Sequence, residues 1–146
     1  MRGNLFLLGL APAGIGKGVG MAKILCVDDE RDIADLVKLV LELGQHQVTV
    51  VTEPENAVAT ALELHPDLIL LDVVMPHVDG FDIFREIREQ PSLAKIPIAF
   101  LTSNNKSVDL MVGLHVMKAE DYITKPFGKQ ELLDRVNALL KKYGTA

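Results

Sequence analysis

Five polar residues stand out along this chain by type and by position: Asp28, Asp29, Asp72, Thr102 and Lys125. Three carboxylates brought to one place repel. At about 4 Å and an effective dielectric near 20, each like-charged pair costs roughly 4 kcal/mol. A fold keeps such a cluster only if something offsets it. A divalent cation with oxygen ligands does so, and Mg²⁺ suits a few carboxylates with water in its remaining positions. Lys125 adds one positive charge. A metal and a lysine together would neutralise the oxygens of a phosphoryl group, and the Thr102 hydroxyl could donate to one of them. One aspartate could then act as nucleophile and become an acyl phosphate.

Short apolar runs alternating with amphipathic stretches must position these residues. Lys23–Val27 is an apolar run of strand length. Ile33, Leu36, Val37, Val40 and Leu41 recur at helical spacing, and Gly44 is expected to stop that helix. Gln47–Thr52 is rich in β-branched residues. Pro54 opens the next helix, with Val58, Ala61, Leu62 and His65 along one face and Pro66 at its end. Leu68–Leu71 is apolar throughout, as in a strand buried on both faces. Phe81, Phe84 and Ile87 mark a third helix. Ile96–Leu101 is a fourth strand, Lys106–Met117 a fourth helix and Tyr122–Thr124 a fifth strand. Leu132, Leu133, Val136, Leu139 and Leu140 form the inner stripe of a last helix. Five strand–helix repeats imply an α/β fold, a parallel sheet covered by helices on both faces. Ligands of such sheets bind at the carboxyl ends of the strands. Asp28 and Asp29 follow the first strand, Asp72 ends the third, Thr102 and Ser103 end the fourth, and Lys125 follows the fifth.

Composition limits the function classes. The chain has 146 residues, 49% of them hydrophobic and 24% charged, which suits one domain with a real core. The net charge of −5 argues against nucleic-acid binding as the main activity. No apolar run approaches a membrane span. The single cysteine, Cys26, excludes an intrachain disulfide framework and suits a reducing cytosol. His46, His65, His77 and His115 share no metal-ligand spacing and read as structural or solvent-facing. Residues 1–20 differ from the rest: they hold 6 of the 11 glycines, and Arg2 and Lys17 are their only charges. Gly14–Lys17 resembles the end of a phosphate loop. However, Ala11 stands where the first glycine belongs and Gly18 where the hydroxyl belongs. The apolar run Leu5–Leu10 is short for a signal peptide. Residues 1–20 are therefore expected to be a flexible extension, with the domain at 21–146.

The motifs carry a resemblance. V-D-D-E at Val27–Glu30, L-L-D-V-V-M-P-H-V-D-G-F at Leu70–Phe81, L-T-S at Leu101–Ser103 and D-Y-I-T-K-P-F at Asp121–Phe127 resemble the receiver domain of response regulators in two-component signalling. The resemblance covers residues 21–143. The intervals agree as well: 44 residues from Asp28 to Asp72, 30 to Thr102 and 23 to Lys125. It implies a flavodoxin-like, doubly wound, five-stranded sheet of order 2-1-3-4-5 with five helices. It implies Asp72 as phosphoacceptor, with Asp28, Asp29, Asp72 and the Val74 backbone carbonyl as Mg²⁺ ligands. Thr102 and Lys125 would bind the phosphoryl group, Tyr122 would switch with Thr102, and the Lys125–Pro126 bond would be cis. The donor would be a histidine kinase or histidine phosphotransfer protein. The chain would then be no conventional enzyme but a cytoplasmic phosphoacceptor that assists its own phosphorylation and dephosphorylation. Its output would pass to a downstream protein target, with no nucleic acid or membrane contact. A phosphorelay intermediate and a receiver fragment of a longer regulator are the alternatives to a stand-alone switch.

Each residue also has a plainer reading. Asp28 and Asp29 could cap the following helix. Asp72 could be a solvated loop residue, Thr102 a strand-end hydroxyl, Lys125 a surface lysine and Tyr122 plain core. Together these readings require five coincidences at one sheet edge. An aspartyl-phosphate phosphatase would place its acid/base aspartate where Val74 stands, and a flavodoxin-like cofactor binder would be repelled by Asp28-Asp29-Glu30. Departures from the family pattern carry expectations of their own. Val74, two residues past Asp72, has no polar group to orient water, so slow self-dephosphorylation is expected; Asn104 holds the equivalent place after Thr102. Lys118 stands where the family commonly has glycine. Val108, Met111, Val112, Val116 and Met117 make the fourth helix apolar enough for core packing or for a homodimer surface through the fourth helix, fifth strand and fifth helix.

Overall fold

The computed structural model describes residues 20–103 and 118–144. Five strands form one sheet: β1 (Lys23–Val27), β2 (Gln47–Val51), β3 (Leu68–Asp72), β4 (Ile98–Ser103) and β5 (Asp121–Lys125). All neighbours are parallel, in the order β2-β1-β3-β4-β5. Among the described residues there are four α-helices: α1 (Arg31–Leu43), α2 (Ala57–Leu64), α3 (Gly80–Glu89) and α4 (Lys129–Tyr143). The expected helix at 106–117, its apolar surface and Asn104 lie outside the described residues, as do residues 1–19.

Strand side chains alternate between the two faces and so divide the core in two. Ile24, Cys26, Leu68, Leu70, Ala99 and Leu101 pack with α1 and α4. Leu25, Val27, Ile69, Leu71, Ile98 and Phe100 pack with α2 and α3. Phe100 lies edge-on to both Phe81 and Phe84, with ring centroids 5.2 and 5.3 Å away. Cys26 is buried, which pushes its thiol pKa up and leaves it neutral.

The structure corrects several details. Pro54 opens a 3-10 turn, Pro54–Asn56, rather than α2 itself. The buried stripe of α2 is Ala57 and Ala61, while Leu62 is exposed. Gly44 closes α1, but the left-handed residue is Gln45 at φ 75°. What Gly44 provides is room: a Cβ there would lie 2.4 Å from Leu133 Cδ1, at the face shared with α4. Pro97 precedes β4, so its missing N–H costs the ladder nothing. Lys118 takes φ 62°, the left-handed conformation that favours glycine.

His46 is a buried tie rather than a solvent-facing residue. Its Nδ1 accepts from the Ala22 N–H at 3.2 Å, and its Nε2 meets Asn137 Oδ1 at 2.8 Å. The ring therefore joins the start of β1 to α4.

Candidate functional site

A carboxylate, Asp28, follows β1 directly, where the chain turns into α1. The Asp28 N–H donates to Val51 O at 3.0 Å, continuing the pairing with β2. Its Oδ1 then accepts from the Glu30 N–H at 2.9 Å, which bends the backbone into the helix. The helix cap is Glu30, with extended backbone and no side-chain capping bond. Neither Asp28 nor Asp29 occupies the cap position, so their plainer reading fails.

Asp72 is the last residue of β3 and is 2% exposed, not a solvated loop residue. Its Oδ1 accepts from the Val74 N–H at 3.1 Å. Beyond it the chain makes a two-residue ladder, Val74–Met75 against Val78–Asp79, turned by Pro76 and His77. Proline fixes the first turn residue, and His77 takes φ 68°. Asp79 then caps α3 by accepting from the Phe81 N–H at 2.9 Å. Gly80 lies directly against the strand end: a Cβ there would fall 2.4 Å from Asp72 O and 2.5 Å from Val73 Cα.

Thr102 is buried near the end of β4, one residue beyond Leu101, which pairs with Asp72. Lys125 ends β5, and its peptide bond to Pro126 is cis. Its ammonium lies 2.8 Å from Asp28 Oδ2, 3.0 Å from Glu30 Oε1 and 3.5 Å from Asp72 Oδ2. The side chain is only 10% exposed, so it is not a surface lysine. Tyr122 pairs with Phe100 across the β4–β5 ladder and is partly buried against the α2–α3 side of the core.

The electrostatics follow from this crowding. Burial and the neighbouring Asp28 charge push the Asp72 carboxyl up to about 7, against the pull of Lys125 and the Val74 N–H. Burial opposes the charge of Lys125, but contact with Asp28, the Asp72 charge and contact with Glu30 outweigh it and raise the ammonium above its ordinary value. Asp28 Oδ2 and Asp72 Oδ2 are buried and both face the Lys125 ammonium, Asp28 in a close ion pair and Asp72 Oδ2 in a looser one with no well-formed hydrogen bond. Asp28, Asp29 and Asp72 each offer a carboxylate oxygen, all within 4.8 Å of one another. Three carboxylates in an all-oxygen donor set, two of them buried, fit a hard divalent cation such as Mg²⁺.

The sheet edge thus gathers Asp28, Asp29, Asp72, Thr102 and Lys125, with Val74 half exposed beside them. Tyr122 stands further back along β5. Two contributors were missed by sequence reasoning. Glu30 sits in the V-D-D-E run, but its type did not reveal a reach to Lys125. Gly80 sits in the quoted V-D-G-F run, where the glycine next to a cap residue was the available signal.

Comparison with known proteins agrees with this geometry. The family model for the response regulator receiver domain matches residues 24–137. The chain is 44% identical over 122 residues to the transcriptional regulatory protein SpaR of Bacillus subtilis, covering 84% of this chain and 53% of SpaR. It is 39% identical over 122 residues to the DNA-binding dual master transcriptional regulator RpaA of Synechocystis, covering 84% of this chain and 50% of RpaA. The chain therefore spans about half the length of these curated relatives. The solved chemotaxis response regulator CheY4 of Vibrio cholerae superposes with a TM-score of 0.76 at 30% identity, covering 82% of this chain and 99% of CheY4. With its five-stranded parallel sheet and the acidic edge that the sheet builds, the chain belongs to the response regulator receiver family.

Proposed function

We propose that Asp72 is the phosphoacceptor of this receiver domain. The supporting observation is the buried carboxylate pair of Asp28 and Asp72 facing Lys125. An Asp72 oxygen attacks the phosphorus of a phosphohistidine on a histidine kinase or phosphotransfer protein. The P–N bond breaks, the imidazole leaves with its electron pair, and Asp72 carries an acyl phosphate. Asp28, Asp29 and Asp72 would hold Mg²⁺, joined by the Val74 carbonyl. When bound, the metal supplies positive charge against the phosphoryl oxygens. Lys125 neutralises a second side of the group, and Thr102 donates to it. Because a phosphoryl group binds the two arrangements of Thr102 and Tyr122 unequally, it shifts the balance between them. The surface around β5 and α4 then changes for a downstream protein target or a second copy of the chain.

The domain begins at residue 21 in this reading, and residues 1–20 are an extension outside it. No helix among the described residues is long and apolar enough to cross a membrane. As a receiver domain, the module is proposed to work in the cytoplasm. It works either as a stand-alone switch or as the receiver part of a longer regulator. The half-length match to SpaR and RpaA favours the second form. Any nucleic-acid contact would then belong to another part of that protein. Incubation with Mg²⁺ and phosphoramidate, followed by intact mass, tests the reading. Wild type should gain one phosphoryl group and Asp72→Asn none; no gain in wild type would overturn it.

A further inference from the structure

We propose that Glu30 is a positioning residue that holds the Lys125 ammonium away from the phosphoryl site while Asp72 is bare. The inference rests on the reading of Asp72 as phosphoacceptor. Glu30 is the cap residue of α1, and its extended backbone at φ −85° and ψ 103° suits a capping side chain. No such bond forms. Instead, its carboxylate reaches a residue 95 positions away, where Oε1 accepts from Lys125 Nζ at 3.0 Å.

The distances rank the partners of Lys125. The ammonium is nearer to Asp28 and Glu30 than to Asp72. Asp28 is fully buried and fixed by its bond to the Glu30 N–H. The Glu30 side chain is 60% exposed. It is therefore the partner that can be given up, because its carboxylate regains water when it lets go. A phosphoryl dianion on Asp72 is the stronger partner and takes the lysine. Until it arrives, Glu30 competes for the charge that the phosphoryl group needs. An ion pair with one exposed member is weak, so the competition is worth a few-fold rather than orders of magnitude.

Two variants separate contact from charge. Glu30→Gln removes the charge and leaves only a neutral amide oxygen for the ammonium. Glu30→Asp keeps the charge but shortens the reach, and aspartate suits the vacant helix cap. Affinity for beryllofluoride in the presence of Mg²⁺ is measured by calorimetry, with Mg²⁺ affinity measured separately. Both variants should bind beryllofluoride about three- to five-fold more tightly than wild type, the scale of a weak ion pair. Mg²⁺ affinity should stay within about two-fold in Glu30→Asp, which keeps the charge. Unchanged or weaker beryllofluoride binding in both variants would overturn the proposal. So would tighter binding in Glu30→Gln alone, since bulk charge would then explain it, or a tenfold loss of Mg²⁺ affinity in either variant, which would make Glu30 a metal ligand. If wild type neither binds beryllofluoride nor takes a phosphoryl group from phosphoramidate, the Asp72 reading fails and this inference falls with it.

Discussion

Asp72 is held in surroundings that disfavour its charge. Its carboxylate is buried, faces Asp28 and has one oxygen without a well-formed hydrogen bond. Such arrangements persist at functional sites at the expense of stability. In metal-free protein near neutral pH, Asp72→Asn should therefore raise stability by about 1–3 kcal/mol, because the amide keeps an acceptor for the Val74 N–H and removes the repulsion. Urea unfolding in chelator checks this, and a loss of stability would count against the strain. Val74 is half exposed beside Asp72 and offers no polar group to attacking water. The acyl phosphate should accordingly last minutes or longer, and a lifetime of seconds would contradict that. The gathering of the three aspartates, Thr102 and Lys125 at one edge was legible in the sequence because each stands at or just past the end of a recognisable strand. Glu30 was not, because its partner lies 95 residues away and no periodicity encodes such a contact.

Elements meet at two places that the sequence pattern did not reveal. Gly80 lets the start of α3 press against the backbone of Asp72 and Val73. Gly80→Ala should cost about 2–3 kcal/mol and slow phosphorylation, because the added methyl meets backbone that cannot swing aside. A stable, fully active variant would show that the strand end is not held by this contact. The other place is His46, which ties β1 to α4. Burial lowers its pKa, against the opposing pull of Asn137 and of the Asp67 charge. The unfolded chain, with an ordinary histidine near 6.5, then binds more protons than the folded one as pH falls. The stability contributed by neutral His46 is present above about 6.5 and is lost as pH drops through the lower folded value. Tm should fall between pH 6.5 and 5 in wild type and less steeply in His46→Gln; equal slopes would remove His46 as the cause. The strands themselves were readable, since apolar runs of strand length alternate with helical stripes. The position of the left-handed residue after α1 was not, because Gly44 invites that role and Gln45 takes it.

Over the whole molecule, the excess of acid has a local purpose. The net charge is −5, and three of the carboxylates behind it meet at one sheet edge. A cation that binds only the folded arrangement stabilises it by mass action. Saturating Mg²⁺ should raise Tm in wild type and raise it less in Asp29→Asn; equal shifts would exclude Asp29 as a ligand. Composition alone pointed to one acidic domain, and the order of its strands followed from the family resemblance rather than from charge or periodicity. What assembles with this domain is written on surfaces that no strand pattern encodes. The central claim is that Asp72 carries the phosphoryl group. Borohydride reduction of the phosphorylated protein, followed by peptide mass mapping, tests it most directly. The account predicts conversion of Asp72 to homoserine and of no other residue. Reduction at Asp28 or Asp29, or none at Asp72 in protein that has gained the phosphoryl mass, would contradict it.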